Sequence, residues 1–301
     1  MDSRYLRAFV AVAEHGGISA AAAHLGYAQS SLSAQLRRLE GELGSPLLTR
    51  TSTGAPLTDA GRRVLPYARQ ALELDDRMLR AAADERPRLR IGALETLASE
   101  WVPELITALA HGAAGDEARA EVSMAVGPRS RLYDDLDAGR VDVVFVFDNG
   151  KPAPGRQSVV ARERVVLVAG PTHPLAGKPA VTDEDLLAHD FLIAELGCTS
   201  HMLFDRYGED LMDRAHIAMV TGSFGALRRL AAHGQGVALL PHLVVGRELA
   251  DGDLVRLDLV TQPEPIAVQA LWRPELGPAE PALRGVLELA RRHELPSVTA
   301  A

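Results

Sequence analysis

The chain of 301 residues is long for one hydrophobic core, so two or three domains are expected. Hydrophobic residues make up 47% and charged residues 24%, an ordinary globular composition without a run of about 18 apolar residues that could span a membrane. The single cysteine, Cys198, excludes an internal disulfide framework and suits a reducing compartment. The amphipathic amino terminus carries Asp2 and does not resemble a signal peptide, so we expect a cytoplasmic protein.

The net charge of −8 is unevenly distributed along the chain. The first 70 residues hold eight arginines against five acidic residues, whereas the remainder holds 24 basic residues against 35 acidic ones. This asymmetry has the sign expected if only the amino-terminal end contacts the phosphates of a nucleic acid.

Three helices are predicted within the first 43 residues, and the first covers Ser3–His15. Ser19 can cap a second, alanine-rich helix ending at Leu25, because its hydroxyl can accept a free amide at the helix start. After a turn at Gly26, a third helix runs from about Gln29 to Leu43. The apolar stripes of the first and third helices consist of Leu6, Phe9, Val10, Ala13, Leu32, Leu36, Leu39 and Leu43.

The third helix also has a face of small and polar residues. At about 100° per residue, one arc of this helix carries Ser30, Ser33, Ala34 and Arg37, with Gln29 at its leading edge. Gln and Arg can recognise base edges in a DNA major groove, and Ser can reach bases or phosphates. Two helices joined by a short glycine-containing turn, the second carrying such a face, indicate a helix-turn-helix. An ordinary helical hairpin with a solvated polar face is the alternative.

The next segment predicts a short β-hairpin wing. Leu47, Leu48 and Leu57 can dock on the helical core, while a polar tip carries Arg50. In a wing, Arg50 can meet phosphate or a minor groove. A solvated loop residue is the alternative for Arg50.

A long helix is predicted from Asp59 to about Asp84, with Thr58 as its cap and Pro87 just beyond its end. Leucines spaced by sevens suggest a coiled-coil-like contact between two copies of the chain, although Asp75 interrupts the seam. The seam residues are Leu65, Leu72 and Leu79, with Ala68 and Ala82 at intermediate positions.

From Arg88 onward, strands and helices alternate, which predicts parallel sheets with right-handed crossovers. This part is long enough for two lobes, with ligands at the carboxyl ends of strands. The predicted strands are Leu89–Ala93, Glu121–Val126, Val141–Phe147, Val165–Ala169, Phe191–Ala194, His216–Val220, Gly236–Leu240 and Ile266–Trp272. The predicted helices are Ser99–His111, Ser130–Ala138, Asp183–Ala188, Ser200–Leu211, Phe224–Ala232, His242–Leu249 and Ala279–Glu294.

The first 85 or so residues resemble the winged helix-turn-helix of the LysR-type transcriptional regulators. The matching elements are Ala21-Ala22, Leu25, Gln29, Ser33, Leu39-Glu40, Leu43-Gly44, Leu47-Leu48, Arg50, Leu57-Thr58 and Gly61. The remainder resembles the effector domain of that family, a two-lobed fold like the type 2 periplasmic binding proteins, in segments 88–92, 138–146, 173–175 and 222–241.

The resemblance implies a multidomain protein in which an all-α winged helix-turn-helix occupies residues 1–58. A linker helix for dimerisation would follow at 59–86, and a two-lobed α/β effector-binding domain at 87–301. Lobe 1 would hold about 87–161 and 266–301, and lobe 2 about 162–265.

By the same resemblance, the DNA-binding residues are Gln29, Ser30, Ser31, Ser33, Arg37 and Arg50. The family usually has Ser or Thr where Ala28 stands, and Pro where Ser30 stands. If Ser30 capped the helix in place of Ala28, the helix would start later and Ser30 would be withdrawn from DNA.

In the family the effector lies in the cleft between the lobes. Four predicted helix starts carry hydroxyls here, and each offers free amides and the positive end of a helix dipole. We therefore predict a small anionic metabolite, a carboxylate, whereas simple N-caps are the alternative for these hydroxyls. The predicted effector-binding residues are Thr96, Leu97, Ser99, Arg129, Ser130, Cys198, Thr199, Ser200, Ser223 and Phe224.

Cys198 lies before a predicted helix start, where the local field would favour a thiolate. Three roles stay open for it: ligand contact, redox sensing without a partner cysteine in the chain, and an inert small residue. Cys198 with His201 is a nucleophile–base pair in composition only, and the ten histidines show no metal-ligand spacing. Since Walker and dinucleotide-binding motifs are also absent, we expect no catalysis, no metal and no cofactor.

These features predict a sequence-specific transcriptional regulator whose promoter binding is modulated by a small effector. Its expected partners are double-stranded operator DNA, the effector, further copies of the chain in a homodimer or homotetramer, and RNA polymerase as a candidate, with no membrane. Dimer symmetry implies a partly palindromic DNA site. The alternative is a cytoplasmic solute-binding module whose helical front end mediates protein interaction.

Overall fold

A computed structural model describes residues 1–49, 51, 54–82, 86–148, 156–194, 199–208, 211–274 and 276–292. Arg50 and Cys198 lie outside the described residues, and Ser200 is described only by its helical backbone. No helix in the described part of the chain is both long and apolar enough to cross a membrane.

The amino-terminal region is built from α1 (Ser3–His15), α2 (Ile18–Leu25) and α3 (Gln29–Leu43). The predicted bounds of α1 and α3 are confirmed, and the residues of their stripes buried in a common core are Leu6, Phe9, Leu32, Leu36 and Leu39. The prediction for Leu43 is wrong, because this residue at the end of α3 is 38% exposed. The capping role predicted for Ser19 is wrong. Helix α2 begins at Ile18, two residues earlier than a helix capped by Ser19, and Gly17 occupies its N-cap.

A hairpin follows α3, as predicted for the wing. Leu48 and Leu57 form an antiparallel bridge, and a second bridge joins Thr51 and Gly54 closer to the tip. A carboxylate oxygen of Glu40, on α3, accepts the amides of Leu47 at 2.8 Å and Leu48 at 3.2 Å. The base of the wing is therefore held on α3 by hydrogen bonds as well as by apolar contacts.

Helix α4 (Asp59–Ala82) leads from the wing towards the α/β domain. The hydroxyl of Thr58 accepts the amide of Gly61 at 3.0 Å, which confirms the predicted cap. A Cβ at Gly61 would lie 2.2 Å from the carbonyl oxygen of Leu47, so glycine is required where α4 passes the wing.

The remainder folds around two five-stranded sheets, ordered β2-β1-β3-β10-β4 in lobe 1 and β7-β6-β8-β5-β9 in lobe 2. The strands are β1 (Arg88–Ala93), β2 (Glu121–Val126), β3 (Val143–Phe147), β4 (Arg156–Glu163), β5 (Val165–Ala169), β6 (Phe191–Ala194), β7 (Ile217–Thr221), β8 (Val237–Pro241), β9 (Val255–Arg256) and β10 (Ile266–Trp272). The helices are α5 (Glu95–Glu100), α6 (Val102–Ala110), α7 (Arg129–Asp137), α8 (Asp183–Leu187), α9 (Ser200–Tyr207), α10 (Leu211–Arg214), α11 (Phe224–Ala232), α12 (His242–Asp251) and α13 (Glu280–Arg292).

The expectation of purely parallel sheets is wrong. Strand β10 runs antiparallel to β3 and β4, and β5 runs antiparallel to β8 and β9. The reason is that the chain crosses between the lobes twice, outward from β4 into β5 and back into β10. Strand β4 was not predicted, because its polar edge lacks the apolar run that marked the central strands.

One predicted helix, Ser99–His111, is two helices in the structure. Helix α5 ends at Glu100, and α6 starts after Trp101, with Pro103 in its first turn. Proline lacks an amide hydrogen and is tolerated at a helix start, so it favours a new helix there over continuation of α5. The Trp101 ring is fully buried and packs edge-on against the ring of Phe145, with 5.6 Å between the ring centroids.

An ion-pair cluster fastens α4 to lobe 1, and we define it as Glu73, Arg90, Asp142 and Arg273. Glu73 contacts both guanidinium groups, and Arg90 also pairs with Asp142 at 2.8 Å. The carboxylates of Glu73 and Asp142 are only 10% and 4% exposed. Buried charges of this kind are stabilising only while each keeps its partners.

Candidate DNA interface and effector site

Helix α3 presents a polar face to solvent. Gln29, Ser30, Ser31 and Arg37 are exposed, and Ser33 is half-buried. On the opposite side, Leu32, Leu36 and Leu39 are at most 1% exposed, which fixes the rotation of the helix on its core. A rigid helix with an exposed face of this composition can enter a DNA major groove.

The amino-terminal end of α3 has no side-chain cap. Ala28 occupies the N-cap in an extended conformation and provides no side-chain hydrogen bond, and the first turn contains no acidic residue. The structure therefore starts the helix at Gln29 and leaves Ser30 exposed in its first turn, not at its cap. An uncapped helix start with a positive dipole end can accept a backbone phosphate.

Several basic residues lie near α3, and they differ in whether their charge is already paired. Arg4 binds Asp2 at 2.7 Å, Arg62 pairs with Asp59, and Arg38 donates to the Tyr5 hydroxyl at 3.2 Å. Within the described part of the chain, Arg37 makes no ion pair. Its charge is consequently available for a phosphate or a guanine edge.

The leucines of the predicted α4 seam do not share one exposed face, since only Leu79 of the three is exposed. Leu65 and Leu72 pack against the helix-turn-helix core, because α4 lies along α1. Asp75 does not interrupt a seam, since it pairs with Arg7 at 3.3 Å. The large apolar residues that α4 exposes are Tyr67, Leu74, Met78 and Leu79, at 71%, 56%, 60% and 63%.

Two of the predicted effector contacts, Thr96 and Ser99, do not cap a helix. Helix α5 begins at Glu95, so both residues lie within it. The Ser99 hydroxyl is 3.0 Å from the carbonyl oxygen of Glu95, to which it donates. Thr96 is 7% exposed, and Leu97 is fully buried in the core of lobe 1.

Helix α7 begins at Arg129, after Pro128, so Ser130 is its exposed second residue and not its cap. The guanidinium of Arg129 donates to the carbonyl oxygen of Phe147 at 2.5 Å and to the Tyr133 hydroxyl at 3.2 Å. Arg129 thus ties the start of α7 to the end of β3, at the carboxyl edge of the sheet where ligands bind in such folds.

Two of the hydroxyls predicted for the effector site in lobe 2, those of Thr199 and Ser223, are bonded within the protein. Thr199 is 1% exposed and donates to the carbonyl oxygen of Leu239 at 2.7 Å. Ser223 caps α11 by accepting the amide of Ala226 at 3.3 Å, which confirms the N-cap alternative at this position. Phe224 is 8% exposed.

The predicted effector residues come together only in part. Thr96, Ser99 and Phe224 line a cavity of about 130 Å³ between the lobes. Arg228 also lines this cavity and pairs with Glu248 at 3.1 Å. Leu97, Arg129, Ser130, Thr199 and Ser223 are not among its lining residues.

A larger cavity of about 530 Å³, the hinge cavity, lies where β4 and β10 pass between the lobes. Its lining includes Asp148 and Ala267 from lobe 1, and Leu239 and Met202 from lobe 2. Of the ten predicted effector residues, none whose side chain the structure describes lines it. Asp148 directly follows a predicted strand, so the strand-end rule could have identified it, whereas Arg162 lies on the strand that was missed.

One buried acid lies close to the crossing between the lobes. Glu163, at the end of β4, is 4% exposed, and its carboxylate accepts the amide of Leu243 at 2.7 Å. Burial raises the pKa of Glu163 from 4.5 to about 7, although the amides of Leu243 and His242 and the charge of Arg164 act in the opposite direction. Glu163 thereby caps α12, which has no side-chain cap of its own.

A winged helix-turn-helix with an exposed polar face, joined by a helix to a two-lobed α/β domain, defines a DNA-binding regulator with a ligand-binding domain. A family model described as the bacterial regulatory helix-turn-helix protein, lysR family, matches residues 3–62. A second, the LysR substrate binding domain, matches residues 82–294. The chain belongs to the LysR family of transcriptional regulators, a family that is not enzymatic.

Individual relatives agree with this assignment. The chain is 33% identical to the HTH-type transcriptional regulator PtxR of Pseudomonas aeruginosa, over 85% of this chain and 82% of that protein. It is similar to CbnR in complex with its target DNA, with a TM-score of 0.67, 26% identity and coverage of 97% and 99%. A full-length OxyR variant from Pseudomonas aeruginosa, at 21% identity, shows the same fold, with a TM-score of 0.71 and coverage of 100% and 99%. The alternative of a solute-binding module with a protein-interaction front end is therefore set aside.

Proposed function

We propose that this LysR-type regulator recognises its operator through Gln29, Ser30, Ser31, Ser33 and Arg37, with Arg50 on the wing. The observation that carries the proposal is the exposed polar face of α3, oriented by fully buried leucines on the other side. Because an operator is chromosomal DNA, the proposed function places the protein in the cytoplasm.

The proposal extends to a dimer formed through α4. The exposed apolar residues Tyr67, Leu74 and Met78 recur at helical spacing on one side of the helix, as expected for contact with a second copy. Two helix-turn-helix units related by a two-fold axis would bind a partly palindromic site. A tetramer and a contact with RNA polymerase stay predictions from the resemblance.

We further propose that a small effector carrying an anionic group, a carboxylate, binds between the lobes and changes operator affinity. Cavities lined by both lobes support this location, since a ligand there would favour one arrangement of the lobes over another. The hydroxyls of Ser99, Thr199 and Ser223 do not support this location, because they are bonded within the protein.

Titration of a labelled DNA fragment from upstream of its own gene, followed by fluorescence anisotropy at several salt concentrations, tests the DNA interface. Arg37→Ala should weaken binding by about tenfold and flatten the salt dependence by roughly one counterion. The control is Arg131→Ala, which removes an arginine side chain that is 73% exposed on α7. This variant should bind operator DNA like the unaltered protein. Equal affinities and salt slopes for the two variants would contradict the assigned face.

A further inference from the structure

We infer that the hinge cavity takes a zwitterionic ligand with an apolar side chain, that is, an α-amino acid of the leucine or phenylalanine type. This inference rests on the proposed function, because it names the chemical class of the effector. It departs from a simple anion, since the charges around the cavity call for an ammonium group beside the carboxylate.

The floor of the hinge cavity is apolar. Leu167 and Leu239 from the second sheet and Leu186 from α8 line it, and each is at most 5% exposed. Its volume of about 530 Å³ lies within the range of roughly 300–1,000 Å³ that small-molecule pockets occupy. An apolar side chain of a ligand can therefore be enclosed there, and its burial would supply affinity.

The rim of the cavity carries two guanidinium groups and three carboxylates. Arg206 is already engaged, because it pairs with Asp183 at 2.5 Å and donates to the carbonyl oxygen of Thr261 at 2.8 Å. Arg162 is exposed and makes no ion pair with any residue that the structure describes. Arg162 is consequently the group that can bind a ligand carboxylate in a charge-assisted hydrogen bond.

The acids of the rim oppose a ligand that is only anionic. Asp205 and Glu264 are exposed at the cavity, and neither carboxylate makes an ion pair or hydrogen bond within the described part of the chain. Asp148 is the third acid of the lining. A carboxylate that approached Arg162 would also meet their negative charge, whereas an adjacent ammonium group would be attracted by Asp205 and Glu264.

The strand register places opposite charges on the two sides of a small residue. Ala267 of β10 lies opposite Arg162 of β4, and its carbonyl oxygen accepts the amide of Asp148 at 2.7 Å. Arg162 and Asp148 are thus separated by one strand, about 10 Å between backbones. Ala267 contributes only a methyl group between them, and a zwitterion whose carboxylate binds Arg162 would contact lobe 1 while its side chain reaches the floor in lobe 2.

Isothermal titration calorimetry on the full-length protein tests the ligand class with matched probes. L-Leucine and L-phenylalanine would be compared with isocaproate and hydrocinnamate, which lack the ammonium group, and with isoamylamine and phenethylamine, which lack the carboxylate. At least one amino acid should bind at least tenfold more tightly than both of its analogues. Binding of a carboxylate analogue as tight as its amino acid, or no binding by any probe, would overturn the inference.

Exposed rim residues allow variants that should not disturb folding. Arg162→Gln should weaken amino-acid binding by about tenfold without affecting the amine, and Glu264→Gln should weaken both the amino acid and the amine. Arg156→Gln removes an exposed arginine from the same strand outside the cavity and should bind like the unaltered protein. Unchanged amino-acid affinity in Arg162→Gln would contradict this site.

A parallel operator titration separates the two proposals. If operator binding persists but none of the amino acids binds, the ligand class is wrong while the regulator assignment stands. If an amino acid binds at Arg162 and operator affinity does not respond, the site is supported but effector control fails.

Discussion

Polar side chains are used differently in the helix-turn-helix and in the α/β domain. On α3, Ser30 and Arg37 point into solvent, and the leucines opposite them hold the helix. In the α/β domain, the hydroxyls of Ser99 and Thr199 donate to carbonyl oxygens, and Ser223 accepts a helix amide. A hydroxyl that the sequence places at a helix start is therefore not by itself a binding group, because such side chains commonly satisfy nearby backbone groups.

The helix that carries the helix-turn-helix meets the α/β domain at the ion-pair cluster. We expect a substitution in this cluster to cause the largest loss of stability. Glu73→Gln would leave Arg90 and Arg273 to share the single carboxylate of Asp142, which lies 2.8 Å from Arg90 but 4.0 Å from Arg273. It should lower the free energy of unfolding by about 3 kcal/mol. Urea denaturation followed by the fluorescence of Trp101 and Trp272 would measure this. A matched change at an exposed pair, Glu288→Gln, should have little effect, and similar losses in both variants would contradict a structural role for the cluster.

The buried acid of the lobe crossing should make stability depend on pH. Because the pKa of Glu163 is about 7 in the folded protein against an ordinary value of 4.5, folding takes up a proton between these values. The free energy of unfolding should then fall as pH rises from about 4.5 to 7. Glu163→Gln keeps an acceptor for the Leu243 amide and removes the titration.

Relative to the unaltered protein, Glu163→Gln should be equally stable near pH 5 and more stable near pH 8, by up to about 3 kcal/mol. Denaturation curves at the two pH values would show it. A constant difference between the two proteins across this range would mean that Glu163 does not titrate there.

The exposed side of α4 should control assembly and not folding. Met78→Glu places a charge on a surface that is 60% exposed in the single chain, so it should raise the dimer dissociation constant at least tenfold with little loss of monomer stability. Sedimentation velocity would follow the dissociation. Leu72→Ala, on the side that packs against α1, should instead destabilise the helix-turn-helix. If Leu72→Ala dissociated the dimer and Met78→Glu destabilised the helix-turn-helix, the seam predicted from leucines spaced by sevens would be correct.

The smallest expected effects come from two serine substitutions, one at a helix cap and one on the proposed DNA-binding face. Ser223→Ala removes the cap of α11 and should cost about 1 kcal/mol of stability without changing operator binding. Ser30→Ala should leave stability unchanged and weaken operator binding several-fold. Thermal unfolding and anisotropy on both variants give the comparison. Loss of stability in Ser30→Ala would place its side chain in the helix cap.

Much of the amino-terminal fold could be predicted, because its contacts are local. Except for Leu43, the leucines predicted for the stripes of α1 and α3 are buried, and the wing and the Thr58 cap are confirmed. Apart from the cap of α2, the errors in the helical contacts arose where the contact partner was distant in the chain. The leucines at 65 and 72 turned inward because α1 lies beside α4, a contact between segments about 60 residues apart that periodicity does not encode.

By itself, the sequence determined the helix-turn-helix, the polar face of α3 and the alternation of strands and helices, because burial at fixed spacing and capping act within a few residues. The tertiary structure decided which face of α4 is open, which hydroxyls are bonded internally, and that Arg162, Asp148 and Met202 surround one cavity. These features depend on strand order and on two crossings between lobes, and they bring together side chains from segments tens to over a hundred residues apart.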